Sequence, residues 1–167
     1  MSLKYVDIGE MEEINLNDLI QDVLELLHGQ MEQSNATIKI NGTLPIVYAN
    51  YKRLREVFQN LIDNGIKFRK KDTNPLIEIG TINTNSKPIF YVKDNGIGVS
   101  KQYHKKIFDL FERLSHDEDG TGVGLALVRR IIELHQGKIW LESEAGNGFV
   151  FKFTVGDLKW GRNEKKQ

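Results

Sequence analysis

Apolar residues recur along this chain with two different periods, and the switches between them mark out its elements. From Asn17 to about Gln33, Leu19, Ile20, Val23, Leu24 and Leu27 share one stripe of a 3.6-residue repeat behind an Asn- and Asp-rich start suited to capping, so the spacing predicts an amphipathic helix. Thr37 to Asn41 then alternates apolar with polar, and a Gly-Thr-Leu-Pro turn leads to the run Ile46-Val47-Tyr48, which predicts two short strands. A second helical stripe of Leu54, Val57, Phe58, Leu61 and Ile62 runs from Asn50 to about Arg69 and stops before Thr73-Asn74-Pro75. Leu76 to Asn83 and Ile89 to Lys93 alternate on either side of Asn85-Ser86-Lys87-Pro88, the pattern of a hairpin. A glycine-rich and then acidic stretch follows, interrupted by a short apolar helix from about Lys101 to Phe111. Val123 to His135 reads as a further helix with a glycine stop at Gln136-Gly137, and Lys138 to Glu142 with Phe149 to Val155 as a second hairpin. Helices first, then paired strands, predict an α+β fold: a mixed sheet with helices on one face.

Composition narrows the function classes. A chain of 167 residues, 40% of them apolar, suits one domain with one core. The 23 basic and 23 acidic residues cancel, so no global field draws the molecule to nucleic acid or to an anionic membrane, and any phosphate binding must be local. The absence of cysteine excludes a disulfide framework, a thiolate zinc site and cysteine catalysis, and fits a reducing, cytoplasmic setting. No run approaches the roughly 20 apolar residues that span a bilayer, so no direct membrane contact is expected.

Three features carry candidate chemistry. On the second helix, Glu56, Asn60, Asn64 and Lys67 fall within about 40° of one line, and the apolar stripe centres about 130° away. Carboxamide oxygens are hard, neutral ligands suited to magnesium, and a lysine one turn on can meet phosphates that share the metal. On this segment alone, the same pattern fits an ordinary solvated helix face equally well. Asp94-Asn95-Gly96-Ile97-Gly98 ends an apolar strand, where a carboxylate is costly to bury unless something donates to it, as an adenine amino group does. A plain Asp-Asn-Gly turn is the alternative there. Gly120-Thr121-Gly122-Val123-Gly124-Leu125 opens a helix, whose unpaired N–H groups and dipole attract phosphate. Its spacing matches neither the dinucleotide-binding pattern nor a P-loop. Adenine at Asp94, magnesium at Asn60 and Asn64, and phosphates under residues 120–124 together specify one ligand, Mg-ATP.

Asn60-Leu61-Ile62-Asp63-Asn64-Gly65-Ile66-Lys67-Phe68, then Asp94 to Gly98, Ile107-Phe108-Asp109-Leu110-Phe111 and Gly120 to Leu125 resemble the N box, first glycine box, F box and second glycine box of sensor histidine kinases. The run through Phe111-Glu112-Arg113-Leu114 resembles the phytochrome-like branch. The resemblance implies the two-layer α/β sandwich of the GHKL ATPase superfamily, with about five strands packed on three helices. It also implies that Asn64, with Asn60 beside it, binds magnesium, that Lys67 contacts phosphate and that Asp94 recognises adenine. Gly96, Gly98, Gly120, Thr121, Gly122, Val123, Gly124 and Leu125 would shape the pocket and lid. Phe108 and Phe111 would anchor the lid's base, a role compatible with plain core packing, and Arg113 would reach the γ-phosphate. Gly65, Ala126 and Gln136 depart from residues common in the family, and the lid carries Asp117, Glu118 and Asp119.

The hydrolysing branches of the superfamily place a glutamate one turn before the magnesium-binding asparagine. This chain has Asn60 there, which cannot act as a base, so transfer to a protein is favoured over hydrolysis. The resemblance places 1–14 as the remnant of a preceding dimerisation helix or linker, 15–156 as the ATP-binding catalytic domain and 157–167 as a polar tail. The acceptor histidine is then expected upstream, on the dimerisation domain of the same kinase, with a response regulator receiver domain as an indirect partner. The isolated domain is expected to be monomeric.

Overall fold

The computed structural model describes residues 8–109 and 124–156. Elements in chain order are β1 (Glu12–Asn15), α1 (Leu16–Leu26), α2 (His28–Ser34), β2 (Thr37–Ile40), β3 (Ile46–Ala49), α3 (Tyr51–Lys67), β4 (Leu76–Ile82), β5 (Ile89–Asp94), α4 (Gly124–Leu134), β6 (Ile139–Ser143) and β7 (Phe149–Phe153). A 3-10 turn at Lys101–Tyr103 and helical backbone at 107–109 lie between β5 and α4.

Five strands form one mixed sheet in the order β2-β4-β5-β7-β6, parallel between β2 and β4 and antiparallel elsewhere. This is the expected α+β architecture. Alternation turns Ile77, Ile79, Phe90, Val92, Leu141, Phe151 and Phe153 to one face, where they are buried with the apolar stripes of α1, α3 and α4. Phe153 stands edge-on to Phe58 of α3 at 5.6 Å and lies 5.5 Å from Phe90, so helix and sheet share an aromatic centre.

Several expectations needed correction. The first helix divides at Leu27, whose φ of −98° and ψ of 8° interrupt the repeat before α2. β1 was not foreseen: residues 8–11 are irregular and Glu12–Asn15 pairs with β3, in the stretch expected to be a remnant of a dimerisation helix or a linker. With one apolar residue in four, Glu-Glu-Ile-Asn gives no alternation from which to read a strand. β1 and β3 therefore form a separate two-stranded sheet. The stop after α4 uses its residues differently from the usual pattern. Gln136 takes the left-handed φ of 59°, while Gly137 donates to the Ile132 carbonyl at 2.9 Å and presses against the Thr154 backbone, where no Cβ fits.

Candidate functional site

Helix α3 starts where Asn50 Oδ1 accepts from Arg53 N at 2.9 Å, and its phase carries the predicted polar face past the end of β5. Asn64 is 7% exposed and its Nδ2 has no hydrogen-bond partner among the described residues. Asn60 donates from Nδ2 to the Glu56 carbonyl at 2.7 Å, which fixes its Oδ1 in place. That oxygen lies 2.9 Å from where a Cβ on Gly124 would stand, so the glycine lets α4 start against α3. Glu56 is held by Arg53 at 2.9 Å. Lys67 sits 3.4 Å from Asp63 and lines a pocket of about 200 Å³ with Gln30, Gln33 and Ser34 of α2.

Asp94 closes β5 and is 4% exposed. Its Oδ1 accepts from Gly96 N at 2.8 Å and Phe149 N at 3.1 Å, and among the described residues Oδ2 receives no hydrogen bond. Burial raises the carboxyl above its ordinary pKa, opposed by those two backbone donors. The loop after it is built from close backbone contacts. Ile97 N donates to the Phe68 carbonyl at 2.9 Å, and a Cβ on Gly96 would stand 2.5 Å from that carbonyl. Gly98, at φ 62°, lies against the Gly148 and Glu144 backbones. Gly148, at φ 82°, presses on the Asp94 carbonyl. Ser143 Oγ ties the two loops, accepting from Val99 N at 2.9 Å and donating to the Gly148 carbonyl at 2.6 Å.

The fold thus brings two of the three predicted features together with the end of the third, Gly124 and Leu125. A Cβ on Gly65, the residue after Asn64, would lie 3.2 Å from Asp94 Cβ, and Gly124 abuts Asn60. Leu125, in the first turn of α4, is buried. Phe108 lies in the core, 6.2 Å from the Phe151 ring and beneath the Arg129 guanidinium at 5.4 Å. Phe111, Arg113, Gly120, Thr121, Gly122 and Val123 lie outside the described residues. Sequence reasoning missed Gly148 and the Phe149 amide. The Gly146-Asn147-Gly148 run was legible only as a turn, and a backbone donor leaves no side-chain signature.

Residues 49–158 match the family described as histidine kinase-, DNA gyrase B-, and HSP90-like ATPase. The chain belongs to this family. Cyanobacterial phytochrome B of Nostoc sp. is 43% identical over 157 residues, covering 92% of this chain and 21% of that protein. The phytochrome-like protein Cph1 of Synechocystis sp. is also 43% identical, covering 84% and 19%. The chain therefore spans about a fifth of the length of these relatives. The catalytic domain of histidine kinase ThkA superposes with a TM-score of 0.71 at 30% identity, covering 89% of this chain and 98% of that one. Full-length ShkA in complex with AMPPNP gives 0.76 at 25% identity, covering 92% and 33%. The domain is thus a GHKL ATPase domain of the histidine kinases, a class built to bind ATP. No helix among the described residues is long and apolar enough to cross a membrane.

Proposed function

We propose that the domain binds Mg-ATP between α3, the loop after β5 and the start of α4. Within a longer sensor kinase it delivers the γ-phosphoryl group to a histidine on a dimerisation segment outside this chain. The observation that carries this reading is Asp94: a buried carboxylate oriented through one oxygen by two backbone amides leaves the other oxygen for an outside donor, and an adenine amino group is such a donor. The AMPPNP complex of ShkA supports an adenine nucleotide as the ligand in this class.

Magnesium fits the residues present. A buried carboxamide with an orphaned end is an expense that a ligand relieves, and rotating the Asn64 amide by 180° turns its oxygen to that end. Asn60 would stand beside it, and the remaining ligands would come from phosphates and water. When bound, the cation would neutralise charge on the phosphates. Lys67 would reach them by releasing Asp63, Arg113 would meet the γ-phosphate, and amides of residues 120–124 would hold the chain of phosphates at the start of α4. A histidine nitrogen then forms the bond to the γ-phosphorus as the bond to the bridging oxygen breaks, and ADP leaves with that oxygen.

Hydrolysis is the second reading, and Asn60 disfavours it because a carboxamide takes no proton from water. Glu56 is engaged by Arg53, so it does not replace the missing base. Of the chain's four histidines, His135 is buried, His104 faces a backbone carbonyl, the exposed His28 contacts Glu32 at 2.9 Å, and His116 lies outside the described residues. ThkA has been seen in complex with the response regulator TrrA, and a receiver domain would take the phosphoryl group onward here too. The deciding experiment mixes the domain with a separately made dimerisation segment of its kinase and γ-labelled ATP. Label should reach the segment's histidine with wild type and not with Asp94→Asn or Asn64→Ala. The kinase reading is falsified if ATP binds and no label transfers; steady ATP turnover without an acceptor would favour hydrolysis.

A further inference from the structure

β6 is an edge strand, and its free side is unusually well defined. Thr154 N donates to the Lys138 carbonyl at 3.0 Å, and the register pairs Trp140 with Lys152 and Glu142 with Val150. In an antiparallel ladder the bonded pairs alternate, so Lys138, Trp140 and Glu142 bond to β7 while the N–H and C=O groups of Ile139, Leu141 and Ser143 turn away from it. The Ser143 carbonyl faces His104 Nε2 at 2.8 Å, which confirms the phase and closes that end of the edge. No strand covers Ile139 and Leu141 on that side among the described residues.

A groove of about 350 Å³ runs beside this open stretch. Phe108 and Leu141 contribute apolar floor, Trp140 stands on the strand, and Lys105 and Arg129 form the walls. The surroundings are basic in a chain of zero net charge. Lys101, Lys105, Lys106 and Lys138 have no ion pair among the described residues, and they crowd the turn and the start of the strand. Of the carboxylates nearest in sequence, Asp109 is paired with Arg129 and Glu142 with Lys152, and Glu144 accepts from Asn147 Nδ2 at 3.2 Å.

We propose that the β6 edge is a docking site for an extended acidic segment of a partner protein, which adds to the sheet as a sixth strand. Unpaired strand groups need a partner with N–H and C=O groups at strand spacing, which a peptide has and neither a phosphodiester chain nor a lipid headgroup has. The lysines select its charge, and the groove between Phe108 and Trp140 accepts one apolar side chain among the acids. This face is distinct from the Asp94 pocket and requires no nucleotide.

The test uses a fluorescent hexapeptide, Glu-Asp-Phe-Glu-Val-Glu, and the 167-residue chain. Anisotropy should show binding that weakens at least tenfold with Lys105→Glu and is lost with Ile139→Pro. Of the strand's hydrogen-bonding groups, proline at 139 removes only the outward N–H and leaves the bonds to β7. Amide exchange at Ile139 and Leu141 should slow when the peptide is present. Unchanged ATP binding by both variants shows that they fold. Peptide binding that survives Ile139→Pro, or no slowing of exchange at Ile139 and Leu141, overturns the proposal by showing charge attraction alone. Equal or tighter binding of single-stranded RNA or phosphatidylserine vesicles at the same residues overturns it as well.

Discussion

Asn64 is 7% exposed with an orphaned amide nitrogen, and Asp94 is 4% exposed with one carboxylate oxygen unpartnered, so two neighbouring side chains carry desolvation costs that folding does not recover. The Asp94 cost has a pH signature. Because burial raises its pKa in the folded state, the group favours folding below its unfolded pKa, and that contribution is lost as pH rises through the raised folded value. At pH 7 the ionised form therefore weakens the fold. Asp94→Asn keeps an oxygen for Gly96 and Phe149 and removes the charge. It should match or exceed the wild-type thermal midpoint at pH 7, with the gain shrinking in acid, while losing ATP. Calorimetry at pH 7 and pH 4.5 checks this, and a large loss of stability at pH 7 would show that the charge supports the fold. Gly148→Ala tests the residue that the sequence did not single out. At φ 82° against the Asp94 carbonyl, a methyl group displaces the turn and with it the Phe149 amide, so ATP affinity should fall at least tenfold in a titration. The sequence singled out Asp94 and Gly96 by a carboxylate and a glycine at the end of an apolar strand, and Asn64 by its place in a polar line turned away from the apolar stripe. Gly148 was not legible, because its effect passes through a neighbour's backbone.

At the scale of elements, the two helices that flank the candidate site are joined by one buried imidazole. His135, just past the end of α4, donates from Nδ1 to the Ile131 carbonyl at 2.8 Å, and its Nε2 accepts at 3.0 Å from the backbone N of Asn50, the residue that caps α3. Asn50 Nδ2 in turn donates to the Glu10 carbonyl at 2.7 Å, which ties the incoming chain to the same point. A ring nitrogen that accepts must be unprotonated, and burial lowers the His135 pKa, opposed by the Ile131 bond. The sign follows: below about pH 6.5 the unfolded state binds a proton that the folded state refuses, so stability falls as pH drops towards the lowered folded value. Urea midpoints of wild type should decline between pH 7.5 and 5.5, and His135→Ala should lose part of that slope. The variant should also lose about 1–3 kcal/mol at pH 7.5, because the half-buried Asn50 N–H loses its partner. An unchanged slope would place the acid sensitivity elsewhere. Periodicity made α3, α4 and both hairpins readable, since each holds four or more apolar residues in phase. It did not reveal this link, the parallel β2–β4 pairing or the strand β1, because pairing partners are chosen by tertiary packing and leave little trace in a four-residue run.

Across the whole molecule, Asn64, Asp94 and Gly124 come from elements 30 residues or so apart, and a ligand held by all three would act as a crosslink on the folded state alone. Net charge gives no general attraction for phosphate, so stabilisation by nucleotide must come from these local groups. Mg-ATP at about a hundred times its Kd should add about 2.7 kcal/mol, or about 5–10 °C in thermal midpoint for a domain of this size. The dependence on metal separates the two halves of the site. Asp94→Asn should abolish the shift with and without magnesium, because adenine is no longer recognised. Asn64→Ala should retain the smaller shift that ATP gives in EDTA and fail to gain more when magnesium is added. A full magnesium-dependent shift in Asn64→Ala would remove that residue from the metal's ligands while leaving the adenine assignment intact, and a full shift in Asp94→Asn would do the reverse.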